Sequence, residues 1–208
     1  MKKLMILVVA FLMILAASAA SAAPVLGCAS NGAVYEGVQR IGTIKATPVV
    51  ACDNDPVTGR TYFITDRSFG YWTAPDVTTI VATYPSPHRR SVDGAMLCLR
   101  ANDGCFVMAG PTYRLLWVKK TDGTFIELGM VKGLRGAVRD MAGFGGVAAP
   151  FGTVLVLAGD RLYNLSTADL SASPYAPAPA LRGLATDCSG GLVTARQVAL
   201  ASCVRVGR

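Results

Sequence analysis

Beyond residue 23 the apolar positions never settle into a helical stripe. They come as short runs of Val, Ile, Leu, Tyr and Phe, broken by Gly, Pro, Asp or Asn roughly every ten residues. "RTYFITD", "GCFVMAG" and "TVLVLAG" are each followed, after a turn cluster, by a second run that ends on polar residues: "FGYWTAP", "YRLLWVKK" and "DRLYNLS". Runs this short, rich in β-branched and aromatic residues and bounded by turn formers, predict strands joined by tight turns. The pattern predicts an all-β domain.

The runs also repeat. "LRGAVRDMAG", Leu134 to Gly143, returns as "LRGLATDCSG", Leu181 to Gly190, 47 residues later with five of ten positions identical. The runs at Tyr62–Ile64, Phe106–Met108 and Leu155–Leu157 begin 44 and 49 residues apart. Each is preceded by another strand and a Gly-containing turn ("VVACDNDPVTG", "AMLCLRANDG", "GAVRDMAGFGG"), and outer strands such as "VTTIVAT" and "TFIELGM" follow. Four strands in roughly 40–50 residues is the unit of a β-propeller blade. The repeated phrase reads as the innermost strand of a blade plus the turn that leaves it.

Inner strands are expected near 47–53, 92–99, 134–141 and 181–188, which makes four units. The fourth runs out at Arg208 before its outer strand, and "GAVYEGVQRIGTI", Gly32 to Ile44, precedes the first. An N-terminal strand that completes the last blade closes the ring and removes its open edges. A two-sheet sandwich accounts for the strands but leaves the repeat unexplained. With "VTGRTYFITDRSFGYWTAPD" as its clearest blade core, the chain resembles β-propeller repeat proteins in general over nearly all of residues 23–208. It lacks the Gly-His and Trp-Asp pairs of WD repeats. The resemblance implies a small propeller of about four blades of four antiparallel strands, closed by the N-terminal strand. "SASPYAPAPA", Ser171 to Ala180, reads as a rigid crossover between blades.

The N-terminus adds a compartment. Lys2 and Lys3 precede an apolar run from Leu4 to Ala17, and Ala-x-Ala sites end at Ala19 and Ala22. This layout predicts a signal peptide over 1–22, with 23–208 as a single secreted domain and no stable membrane span after cleavage. Two other readings exist: an uncleaved anchor reaching Ala23, and a lipoprotein signal, "VLGC", with Cys28 acylated. All six cysteines (Cys28, Cys52, Cys98, Cys105, Cys188, Cys203) follow the cut. An even number in an exported chain predicts three disulfides, whereas acylation of Cys28 leaves five thiols. Cys98 and Cys105 flank "LRANDG" and face each other across a hairpin. Ring closure pairs Cys28 with Cys203 and Cys52 with Cys188.

Net charge is +7, and +5 without Lys2 and Lys3. The basic residues are dispersed, with doublets only at Arg89-Arg90 and Lys119-Lys120 beyond the leader, which argues against nucleic acid as a partner. Catalytic chemistry is thinly supplied. His88 is the single histidine, Glu36 and Glu127 are the only glutamates, and no nucleophile elbow, Cys-x-x-Cys or phosphate loop occurs. No cofactor is implied.

Asp53, Asp140 and Asp187 occupy about one blade position. They either ring the channel as cation ligands or accept backbone N–H bonds in strand-to-strand turns. "DNDPVTG" matches a calcium loop only in its first three residues, and "TDGTF" reads as a tight hairpin turn. The aromatics Tyr71, Trp72, Tyr113 and Trp117 are the candidate ligand-binding residues, with packing between blades as the other reading. The resulting expectation is a secreted non-enzymatic binding or structural module for an extracellular glycan or protein. The alternatives are a hydrolase or lyase acting on polysaccharide and a lipid-anchored envelope or coat component. Mass spectrometry of the exported protein should find a mature N-terminus near Ala23; a start at a lipidated Cys28 would overturn the secreted reading.

Overall fold

The computed structural model describes residues 26–36, 39–55, 58–85, 92–98, 103–109, 112–144, 153–178, 183–186 and 192–195. They build a β-propeller from successive antiparallel sheets. The N-terminal sheet holds β1 (Leu26–Cys28), β2 (Ala33–Glu36) and β3 (Gln39–Thr43). Three complete four-stranded blades follow. Blade I comprises β4 (Val49–Asp55), β5 (Arg60–Thr65), β6 (Ser68–Thr73) and β7 (Val77–Thr83). Blade II comprises β8 (Val92–Cys98), β9 (Gly104–Ala109), β10 (Arg114–Lys119) and β11 (Phe125–Met130). Blade III comprises β12 (Val138–Phe144), β13 (Thr153–Ala158), β14 (Arg161–Ser166) and β15 (Ser171–Pro177), and β16 (Gly183–Thr186) pairs with β17 (Leu192–Ala195). Inner strands meet in series, β1 beside β4, β4 beside β8, β8 beside β12 and β12 beside β16. The two ends of the chain thus supply the sector of the four-bladed ring that the complete blades leave. Among the described residues no helix is long and apolar enough to cross a membrane.

Side-chain alternation explains the packing. Successive strand residues point to opposite faces, and each central strand is covered on both. Tyr62 and Ile64 of β5 join Met96, Cys98, Cys105, Val107 and Val118 of blade II, while Phe63 faces Val34 and Ile44 beside the N-terminal sheet. Phe106 and Met108 of β9 point the other way, into a cluster with Met141, Val154, Val156 and Tyr163 of blade III. Leu155 and Leu157 fill the far side of that blade. This two-sided burial is why the second strands read as unbroken apolar runs.

Each outer ladder carries one bulge at the same register. The pairing of the third strand with the outer strand skips Ile41, Val81, Leu128 and Tyr175 in the four sheets that have an outer strand. A bulge twists an edge strand and disrupts its use as a template for further pairing. Its presence in β3 marks the N-terminal sheet as part of a blade, with three strands rather than the single closing strand expected.

Three further expectations are corrected. "SASPYAP" is not a crossover but the outer strand β15, with Pro174 opposite Tyr163 and Pro177 opposite Arg161; proline lacks a ladder donor and is tolerated at an edge. The phrase at Leu134 is the approach to an inner strand plus all of that strand but its last residue, with no exit turn, since Gly136 (φ 84°) precedes β12, which runs from Val138 to Phe144. The third concerns disulfides. Cys98 and Cys105 are bonded across their hairpin, with Cα atoms 4.2 Å apart. Cys28, however, is bonded to Cys52 (Cα–Cα 6.3 Å), not Cys203, because β1 lies beside β4. Cys52 is thereby unavailable to Cys188, and both Cys188 and Cys203 lie outside the described residues.

The loops closed differ, with sequence separations of 24 and 7. Loop entropy assigns about 3.5 kcal/mol to the first bridge and about 2.4 kcal/mol to the second. Urea unfolding should therefore show a larger loss for the double substitution Cys28→Ala, Cys52→Ala than for Cys98→Ala, Cys105→Ala.

Candidate functional site

The turns between third and outer strands reach across to the preceding sheet, and each carries an aspartate: Asp76, Asp122 and Asp169. Asp76 Oδ1 accepts the backbone N–H of Thr43 (2.7 Å) and the Trp72 indole N–H (3.3 Å), tying blade I to the N-terminal sheet. Asp122 Oδ1 accepts the Thr124 N–H (2.8 Å) and shapes a turn completed by Gly123 at φ 70°. That turn lies over blade I, where the Tyr84 hydroxyl donates to the Gly123 carbonyl at 2.7 Å and the Tyr84 ring packs on Phe125 at 4.9 Å. Burial, and then the charge of Asp122, raises the Tyr84 phenol pKa. Asp169 accepts from the Ser171 N–H and hydroxyl, and the Leu170 carbonyl beside it accepts the Lys132 N–H of blade II. All three carboxyls are held below their ordinary pKa, chiefly by Thr43 N–H for Asp76, Thr124 N–H for Asp122 and the Ser166 side chain for Asp169.

The junction of blades I and II gathers the densest chemistry. Lys120, at the end of β10, inserts its ammonium against Asp55 at the end of β4 (Nζ–Oδ2 3.0 Å), and the two side chains are only 10% and 3% exposed. The same ammonium lies 5.5 Å from the Tyr62 ring centroid. Tyr62 stacks on Phe69 at 5.7 Å and meets the edge of Tyr71 at 5.8 Å. Arg60 lies over the Tyr71 ring, 4.1 Å from its centroid. A hydrogen bond to the Tyr62 side chain leads the effects that raise the Arg60 pKa, with Tyr71 and Asp55 adding to it. Strand period places Arg60 and Tyr62 on one face of β5, and ladder register sets Tyr62 opposite Tyr71 and Asp53.

The residues predicted from sequence do not converge on one place. Tyr71 belongs to this junction. Trp72 is 2% exposed and faces the N-terminal sheet, packed where Gly42 has no side chain. Trp117 is half-buried, edge-on to Phe106 at 4.8 Å in the blade II–III cluster. Tyr113 stands in the turn before β10 at φ 52° and donates to the Gly136 carbonyl at 3.0 Å. Register makes Trp117 the counterpart of Tyr71, since each pairs with the aromatic of its second strand, whereas Trp72 matches Val118.

Asp53 and Asp140 are mid-strand rather than in turns. Asp53 is fully buried; Oδ1 accepts the Asn54 N–H at 2.9 Å and Oδ2 accepts the Cys98 N–H of β8, linking blades I and II. Asp140 Oδ1 accepts the Met141 N–H at 2.8 Å. Counted from the inner-strand bulge, Asp140 matches Ala51, so Asp53 lies two residues further on and the two do not share one position. Asp187 lies outside the described residues. Among the described residues no group of three or more His, Cys, Asp and Glu gathers around a potential metal position. Asn164, the first residue of an Asn-Leu-Ser sequon, is inside β14, paired on both sides with Leu155 and Ser173.

Comparison with solved structures identifies the architecture. A chain of a nidogen/laminin complex superposes with a TM-score of 0.58 at 15% identity, over 83% of this chain and 70% of that one. The shared feature is the propeller fold. This propeller also matches a chain of a mitotic checkpoint complex (TM-score 0.45, 14% identity, 82% of this chain) and Hsv2 from Kluyveromyces lactis (0.40, 14%, 63%). It spans 56% and 38% of those two chains. No family model and no curated protein matches the sequence.

Arg60, Lys120, Asp55 and Tyr62 were not singled out from the sequence. The Asp of the outer turn was there to find, recurring at spacings of 46 and 47 residues. Breaking a buried ion pair leaves the surviving charge uncompensated, so Lys120→Ala should cost about 3–5 kcal/mol in urea unfolding. Lys120→Met with Asp55→Leu should recover much of that. The three outer-turn aspartates have depressed pKa values, so their contribution to stability is complete above the ordinary carboxylate value of about 4. It is lost as pH falls through their lower folded values. Thermal midpoints should drop on acidification below about pH 4, and Asp122→Asn should make that dependence shallower.

Proposed function

We propose that this propeller is a secreted, disulfide-stabilised, non-enzymatic binding module that engages an extracellular protein or glycan at the junction of blades I and II. The observation that carries the reading is the half-buried Tyr71 ring under the Arg60 guanidinium, on a base of Tyr62 and Phe69. Such a stack offers a rigid amphipathic surface whose ordering entropy is already spent, the kind of feature that supplies binding hot spots. Large exposed apolar residues on the outer strands of the same two blades add contact area: Val77, Ile80, Ile126, Leu128 and Met130.

Export is supported by the two disulfides, which persist in oxidising compartments. The Cys28 sulfur bonded to Cys52 cannot also carry a lipid thioether, which favours free secretion over anchorage through Cys28. The chain that shares the fold comes from a nidogen/laminin complex, in keeping with a protein partner.

Binding of the exported protein to arrays of glycans and of extracellular proteins tests the proposal. Tyr71→Ala should abolish saturable binding while leaving the thermal midpoint within a few degrees of wild type, and polysaccharides should remain uncleaved. Polysaccharide cleavage that disappears with a single Asp→Asn change would replace the module by the hydrolase or lyase reading.

A further inference from the structure

Arg60 departs from the arrangement its strand pairing provides. In the β4–β5 ladder its direct partner is Asp55, a carboxylate one strand away. Yet Asp55 turns its Oδ2 to Lys120 of the next blade, in a pair almost closed to water. Among the described residues no carboxylate lies within ion-pair distance of the Arg60 guanidinium. The guanidinium rests on Tyr71 instead, beside the Tyr62 side chain. A planar guanidinium lying on an aromatic ring keeps its edge donors directed away from that ring, where they match the two oxygens of a carboxylate.

The surroundings restrict what can bring that carboxylate. The Tyr71 face near Arg60 is covered by the guanidinium, so it is not open for a sugar ring to stack on. On the same blade, Thr73 follows Tyr71 by two residues and pairs with Val77, an apolar side chain 53% exposed. A pre-oriented cation with an apolar residue nearby suits an acidic side chain set among apolar ones, as a polypeptide presents it. Lys120 is already neutralised by Asp55 and supplies rigidity rather than a second anion contact.

We infer that Arg60, stacked on Tyr71, is the specificity element of the blade I–II junction and receives the carboxylate of an Asp or Glu side chain on a protein partner. The inference rests on the binding-module reading and deepens it from protein or glycan to an acidic polypeptide segment.

The test is fluorescence anisotropy at physiological ionic strength with three labelled probes: a short poly-L-glutamate peptide, poly-L-glutamine and polygalacturonate. The full mature protein is compared with Arg60→Ala, Arg60→Lys and Arg161→Ala, the last removing an exposed arginine of β14. Poly-L-glutamate affinity should fall on the order of tenfold in Arg60→Ala, the loss of one charge-assisted bidentate contact. Arg60→Lys should restore part of it, Arg161→Ala should match wild type, and poly-L-glutamine should not bind. Equal losses in Arg60→Ala and Arg161→Ala would reduce the effect to net charge and overturn the inference. Arg60-dependent binding of polygalacturonate without poly-L-glutamate would overturn it in favour of a glycan carboxylate. Failure of all three probes, with Tyr71-dependent binding to an array ligand intact, would overturn the inference and leave the binding-module reading standing.

Discussion

Every central strand of this propeller has to satisfy two neighbours at once, and the period of two along a strand makes that possible. Odd and even positions of β5 and β9 belong to different inter-blade clusters, so Tyr62 and Ile64 serve one junction and Phe63 the other. Because the central strands β5, β9 and β13 are buried on both faces, bulk on one side must be met by its absence on the other. Gly104 is an instance: a Cβ there would lie 2.6 Å from the Trp117 indole nitrogen and from the Val118 carbonyl oxygen. A larger residue would displace an aromatic that two blades use.

Polar links are distributed by how much water they can keep. The outer-turn aspartates remain exposed; Asp122 and Asp169 order their own turns and Asp76 ties its turn to the N-terminal sheet, a stabilisation that solvent screening keeps small at each site. At the inner strands the same carboxylate chemistry operates without water. Asp53 reaches the backbone of the next blade, and Asp55 is matched by Lys120 rather than by solvent. Among the described residues, blade II is attached to blade I by apolar packing, the Asp53 carboxylate on the Cys98 backbone N–H, the buried Lys120–Asp55 pair and the Gly123 turn held by Tyr84. This concentration of constraints makes the junction rigid, and rigidity is what the binding surface proposed for Arg60 and Tyr71 requires.

The sequence was informative wherever a residue acts through its own strand. Apolar runs located the second and third strands, because burial on both faces demands such runs. "TDGTF" was legible as a turn since Asp-Gly suits a tight turn whatever surrounds it. The prolines of β15 misled because their loop preference is local, while their tolerance at a sheet edge depends on where the strand lies. Trp72 and Trp117 lie at roughly matching places in adjacent blades but entered different junctions, since adjacent positions on a strand face opposite ways. Asp53 and Asp140 stand two residues apart when their strands are aligned on the inner-strand bulge, an offset visible only in the ladder register.

What the sequence by itself determined is the architecture: strand-length apolar runs, turn formers between them and a blade-length repeat admit few other solutions. It also contained the hairpin bridge Cys98–Cys105, whose partners are close along the chain. Tertiary structure alone decided the rest. Cys28 meets Cys52 because β1 settles beside β4. Asp55 pairs with Lys120 of the next blade, and the guanidinium of Arg60, opposite Asp55 in the ladder, lies over Tyr71. These choices join residues distant in sequence, and their energies depend on desolvation and on which face of one blade meets which face of the next. Neither quantity exists until the blades are in contact.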